Sequence, residues 1–223
     1  MRRIRSSLAA SLLAAVLLAP GPVRAAEAID LRSETLTVDH RGRTATFGGG
    51  VTATRGALVL ACPEVVATYD AGGQVREVRC AGPVEATEGA RRMTAARGHF
   101  DNATGLLTLE GEPTLVEGER RLEGETLIYD ANASTARMTR ARGLLAAAEA
   151  PDLPGTAGRG PLEVRAAALV HDLAARTTRF EGGVTATRGD LVLRADRLTA
   201  WYDEAGALDR AVTGGGPVRV TQG

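Results

Sequence analysis

The chain has 223 residues, of which 44% are apolar and only 3% aromatic, and its 27 basic residues balance 27 acidic ones. That length and apolar share allow one or two domains with a real core and exclude a wholly disordered chain. The scarcity of aromatics requires an aliphatic interior, and the lack of a basic tract in the body of the chain excludes nucleic acid as an expected partner.

The first element is an export signal. Arg2, Arg3 and Arg5 precede an apolar run from Leu8 to Ala19, which is too short to span a bilayer comfortably. Pro20, Gly21 and Pro22 break the run, and Val23-Arg24-Ala25 places small residues where a signal peptidase needs them. Residues 1–25 are therefore expected to be a signal peptide cut near Ala25, and an uncleaved membrane anchor is the competing reading. Four arginines leave with the signal, so 27 acids would face 23 bases in the mature chain, a net charge near −4. Every basic residue is Arg. A compositional bias of the coding sequence accounts for this as well as selection for phosphate clamps does.

From residue 26 onward the apolar pattern has a period of two, which is the signature of strands with one buried face. The pattern slips parity at regular places. Leu191, Leu193 and Ala195 alternate with polar residues, and then Leu198, Ala200 and Tyr202 continue out of phase. The same slip falls between Leu60 and Val65, and between Leu122 and Leu127. A flat strand cannot change parity and keep one face buried, but a bend or bulge can. A small residue marks each slip, at Ser33, Cys62, Ala95, Gly124, Ala166 and Ala195. Each is read as a sharp corner too tight for a large side chain, which gives about six units of strand, corner, strand, turn, strand, corner, strand.

Turns separate these patterns. Asp leads to Gly at 39–42, 70–73, 101–105 and 203–206, and Asp130 and Asp172 lead similar segments without the Gly. These aspartates are read as turn formers. Cys62 and Cys80 flank the turn at 70–73 almost symmetrically, and an exported chain could bridge them. Residues 26–145 form a first module, and 146–160, with Pro151, Pro154 and Gly155, an irregular loop. Residues 161–223 form a second module that copies the first. Phe47 to Leu60 returns as Phe180 to Leu193 at an offset of 133. Such repeats cannot cover their own apolar faces, so they must stack.

The expected fold is all-β, with stacked antiparallel strands folded into a semi-open β-jellyroll of two walls. The apolar lining is expected to comprise Leu36, Val38, Phe47, Val51, Leu58, Leu60, Val65, Tyr69, Phe100, Leu107, Leu109, Leu127, Tyr129, Leu169, Phe180, Val184, Leu191, Leu193, Leu198 and Tyr202. Trp201 falls on the outer parity. No catalytic residue, cofactor or metal site is expected. His40, His99 and His171 stand alone at expected strand ends or turns, and no HxxxH or CxxC spacing occurs. Gly48-Gly49-Gly50 and Gly214-Gly215-Gly216 lead into strands rather than helices, so they are read as corner glycines, not phosphate loops.

The units LVLACPEVVATYDAGGQVREVRCAGPVEATEG and LVLRADRLTAWYDEAGALDRAVTGGGPVRVTQG resemble modules of the OstA/LptA family. Ala195-Asp196 and Gly124-Glu125 match its corner best, whereas Cys62-Pro63 and Ala95-Ala96 depart from it. The resemblance covers about residues 29–223. It implies a periplasmic bridge that holds the lipid A acyl chains of lipopolysaccharide in an apolar groove. It also implies end-to-end stacking on OstA-fold transport proteins at the inner and outer membranes. Val218 to Gly223 lies inside a strand pattern, and an open edge there is expected to serve edge-strand addition by such proteins and head-to-tail self-association. A membrane-anchored member of the same pathway and a structural β-solenoid without ligand remain as alternatives at this stage.

Overall fold

The computed structural model describes residues 27–145, 160–204 and 206–222. The signal peptide and nearly all of the 146–160 loop lie outside the described residues. The described residues form eighteen strands and no helix. Six strands are long and unbroken: β3 (Thr44–Arg55), β4 (Leu58–Tyr69), β13 (Thr135–Leu145), β14 (Leu162–Asp172), β15 (Thr177–Arg188) and β16 (Leu191–Tyr202). The other twelve form six end-to-end pairs. These are β1 (Asp30–Arg32) with β2 (Thr35–Asp39), β5 (Val75–Ala81) with β6 (Val84–Glu88), and β7 (Arg91–Ala95) with β8 (Arg97–Asp101). They continue as β9 (Leu106–Glu110) with β10 (Thr114–Glu117), β11 (Arg120–Glu123) with β12 (Thr126–Asp130), and β17 (Leu208–Gly214) with β18 (Arg219–Gln222).

The chain thus makes twelve antiparallel passes, each folded once across its middle, and each pass pairs with the next in sequence order. Two walls result. One is built from β2, β5, β8, β9, β12 and β17 with the adjoining halves of the long strands, and its rim turns begin with Asp. The other is built from β1, β6, β7, β10, β11 and β18 with the remaining halves, and its rim turns contain Gly. We call them the Asp-turn wall and the Gly-turn wall. β13 and β14 pair from Thr135↔Asp172 to Leu145↔Leu162, so the stack runs unbroken past the 146–160 segment.

Local chemistry explains both rims. The Asp39, Asp70, Asp101, Asp130, Asp172 and Asp203 carboxylates each accept hydrogen bonds from backbone N–H groups two to four residues on. This is the turn chemistry expected of them. On the other rim, Gly56, Gly89, Gly118 and Gly189 sit at φ between 55° and 60°, the left-handed conformation that a two-residue hairpin demands.

The folds fall at the parity slips. The register skips between Gly48 and Val51 opposite Cys62, between Arg165 and Ala168, and between Glu181 and Val184. The other folds separate paired strands at Glu34, Ala96 and Glu125. The return passes fold at a second set of residues, among them Gly49, Gly82, Gly111, Gly182 and Gly215. At Gly111, with φ 81°, an added Cβ would lie 2.6 Å from the Ala96 Cβ of the neighbouring fold. Glycine is required there both by backbone angle and by close approach. The pass through β13 is the exception, with Arg140 at φ 46° in the equivalent place.

One apolar core lies between the walls. Phe47, Val65, Phe100, Leu107, Leu109, Leu127, Tyr129, Leu169 and Phe180 are all buried within it. The outer faces carry Arg–Glu pairs such as Arg92–Glu85, Arg97–Glu110 and Arg142–Glu163. Such exposed pairs add solubility and register more than stability.

Candidate functional site

The interior runs the length of the described stack. Of the twenty residues expected to line it, sixteen are buried, and Tyr69 and Leu193 are partly buried. Leu36 and Val38 differ, at 58% and 50% exposed. Both pair with inward residues, Leu36 with Phe47 and Val38 with Ala45, so they do face inward. They are exposed because, among the described residues, nothing covers them from the opposite wall. A cavity of about 530 Å³ opens there, with Leu36, Val38, Ala45 and Tyr69 as its apolar part and Asp39, His40, Arg43 and Asp70 at its rim. Its volume is within the range of small-molecule sites. Deeper in, the walls close. The pocket between Ile29, Ala53, Leu58, Leu60, Val78 and Phe100 holds about 20 Å³, room for one water and not for an acyl chain.

A larger cleft, about 1020 Å³, lies elsewhere, on the outside beside the folds at Gly111 and Gly124. Ion-paired side chains line it, including Arg97–Glu110, Arg121–Glu123 and Arg140–Glu125. Its polar lining makes it a poor match for acyl chains, so the interior is the better candidate.

Opposite the folds, the two rims meet in a polar seam. Arg55 Nε and Nη2 donate to Asn102 Oδ1 at 3.1 Å and Asn132 Oδ1 at 3.0 Å. The Tyr129 hydroxyl donates to the Glu88 carboxylate. Glu117 lies 3.5 Å from His171 Nε2, and the Arg120 guanidinium stacks 4.0 Å from the centre of the Tyr202 ring. Within the Gly-turn rim, Arg91 links Glu88 to Glu117 at 3.1 Å each, and Arg120 donates to Glu117 at 3.2 Å. A hydrogen bond from His171, the Arg120 charge and a hydrogen bond from Arg91 hold the Glu117 carboxyl down at about 2 against the opposing effect of burial. Burial and then the Glu88 carboxylate push the Tyr129 phenol upward.

Sequence reasoning missed this seam. His171 was expected to stand alone at a strand end. It does lie near the end of β14, but it is only 3% exposed and hydrogen-bonds to Thr178 Oγ1 at 2.8 Å. His40 is in a turn, whereas His99 is a correction, standing in mid-strand in β8 beside Glu77. Trp201 lies toward the outside with Arg210 stacked 4.1 Å from its ring centre. Cys62 and Cys80 are joined in a disulfide across neighbouring passes, with Cα atoms 6.0 Å apart. Among the described residues no group of three or more His, Cys, Asp or Glu side chains is placed to hold a metal ion.

Residues 30–135 and 163–223, about three quarters of the chain, match the family described as LptA/(LptD N-terminal domain) LPS transport protein. The chain belongs to this family. It is an LPS-transport protein, built in this sequence as an all-β double wall. A solved structure, that of LptH, the LptA homologous periplasmic component of the lipopolysaccharide transport device from Pseudomonas aeruginosa, is similar at 17% identity. That match covers 53% of this chain and 87% of LptH, with a TM-score of 0.47. No curated protein matches the chain.

Proposed function

We propose that this LPS-transport protein works in the periplasm, after cleavage near Ala25, as a bridge between inner and outer membranes. The lipid's acyl chains would lie between the two walls, and its sugars would stay outside. The observation that carries this reading is the single aliphatic interior shared by all twelve passes. Each acyl CH₂ taken from water into it is worth about 0.8 kcal/mol, and the buried polar side chains Asn102, His171, Thr178 and Arg188 stand at or near strand ends, so the aliphatic middle lets a chain slide. Photocrosslinking probes at Phe47, Leu60 and Leu193 should capture lipopolysaccharide, and a probe at outward Thr199 should not. Equal capture from both faces, or from neither, would sink the reading.

The partners are proposed on the same basis. Among the described residues the outer edges of β1 and β2 are unpaired, beside the uncovered Leu36 and Val38. An open edge with exposed apolar side chains suits strand addition. OstA-fold proteins at each membrane, and further copies of this chain, are the proposed strands. Val38→Pro, which removes an edge N–H, should reduce the assembly size seen by light scattering. An unchanged size would refute edge addition.

A further inference from the structure

Beyond the cavity at Leu36 and Val38 the interior is closed. Its mid-molecule side chains are fully buried, and its inner pocket of about 20 Å³ cannot take an acyl chain. A carrier with this interior must open somewhere. The fold leaves one long side where that can happen.

On the folded side the walls are joined covalently, twelve times over. Within each wall every pass is tied to its neighbour by backbone hydrogen bonds. Across the seam, among the described residues, no strand of one wall pairs with a strand of the other, and the turn hydrogen bonds stay within a rim. Contacts of side chains hold that side, with a single main-chain acceptor among them: Arg55 to Asn102 and Asn132, Asn102 to the Glu27 carbonyl, Tyr129 to Glu88, His171 to Glu117, and Tyr202 under Arg120. All of these groups are polar at their tips. Separating them exchanges protein contacts for contacts with water, so each costs only the net difference between the two and not a whole hydrogen bond. An apolar seam would instead fuse with the core and close the interior permanently.

We propose that this seam is a lateral gate. The rims part along the row from Arg55 to Tyr202, the acyl chains enter sideways from the seam rather than threading in from an end, and the contacts re-form around or behind them. The gate rests on the reading that the interior holds acyl chains. As the rims part, Arg55 and Arg120 lose their partners on the opposite wall and are left where the anionic headgroup of the lipid emerges.

The test uses the mature full-length chain carrying Arg55→Cys and Asn132→Cys, joined after folding by a photocleavable bis-maleimide. The probe is fluorescently labelled lipopolysaccharide. Linked protein should take it up at least tenfold more slowly than unlinked protein, and illumination should restore the rate. Restoration by light separates a locked gate from a damaged fold. Equal uptake by linked and unlinked protein would overturn the gate alone. Failure of the unlinked variant to take up lipid would overturn the carrier reading and the gate with it. A second variant works in the opposite direction. Tyr129→Phe keeps the buried ring and removes only the hydroxyl that reaches Glu88, so it should load at least twofold faster. Unchanged loading there would show that the seam contacts do not limit entry.

Discussion

Truncating Leu109 to Ala should cost far more than the same change at Leu36, although both side chains face the interior. Leu109 is fully buried, between Gly98 on one neighbouring strand and Leu127 on the other. Removing the branched end of Leu forfeits transfer free energy and leaves a cavity, for an expected loss of about 3–4 kcal/mol. The cavity cannot fill from the β8 side, because Gly98 has no side chain to move in. A Cβ added at Gly98 would lie 3.1 Å from Leu109 Cδ2 and 3.3 Å from Val84 Cγ1. Gly98→Ala should therefore destabilise the wild-type chain by about 1 kcal/mol through overpacking, and stabilise the Leu109→Ala variant by about as much. Leu36→Ala should cost about 0.5 kcal/mol or less, as a surface substitution does. Urea unfolding followed by circular dichroism, with four variants and the wild type, measures all of these. A Leu109→Ala loss below 1 kcal/mol, or Gly98→Ala effects of one sign in both backgrounds, would refute the reasoning that the middle of the interior is packed and its N-terminal end is not.

The folds, the disulfide and the seam give three further predictions. Gly111→Ala combines φ 81° with a 2.6 Å approach to Ala96, and should cost about 2–4 kcal/mol, whereas Gly118→Ala, with φ 60° and open space around it, should cost about 1. Thermal melts that rank the two the other way would contradict the fold geometry. Replacing both Cys62 and Cys80 with Ser opens an 18-residue span and should lower stability by about 3 kcal/mol in urea titration, and no change would mean the bridge does not constrain the unfolded chain. Glu117 has its pKa lowered from 4.5 to about 2 by His171, Arg120 and Arg91, so its contribution is complete above pH 4.5 and is lost as the pH falls toward 2. After discounting for a side chain about a quarter exposed, Glu117→Gln should flatten the acid limb of the stability curve by about 1–2 kcal/mol, and an unchanged acid limb would refute that assignment.

What was legible in the sequence is local. The period-two alternation placed Phe47, Leu60 and Leu193 on the inner face, and the parity slips placed the folds at Cys62, Ala166 and Ala195. The Asp-led turns were legible because Asp caps its own turn. What was not legible depends on how one wall lies over the other. Glu88 in β6 meets Tyr129 in β12, and Arg55 at the end of β3 meets Asn132 beyond β12, 77 residues later. The walls are thus offset by several passes, as twisted sheets facing each other must be. That offset brings His171 onto Glu117, and it leaves Leu36 and Val38 uncovered although their parity matches that of Phe47. No periodicity within a single pass encodes it. Arg140, at a fold where other return passes use Gly, was also invisible, because its left-handed angle is supported by its setting rather than by its residue type.

The residues along the folded side carry a mechanical consequence. Small residues and glycines recur there from Ser33 to Gly215. A bend spread over a dozen weak creases needs only a few degrees at each. The molecule is built like a book with a soft spine, so it can gape over a few pages while the rest stay shut. Local gaping of that kind would let a lipid advance from one stretch of the stack to the next without the whole interior ever facing water at once.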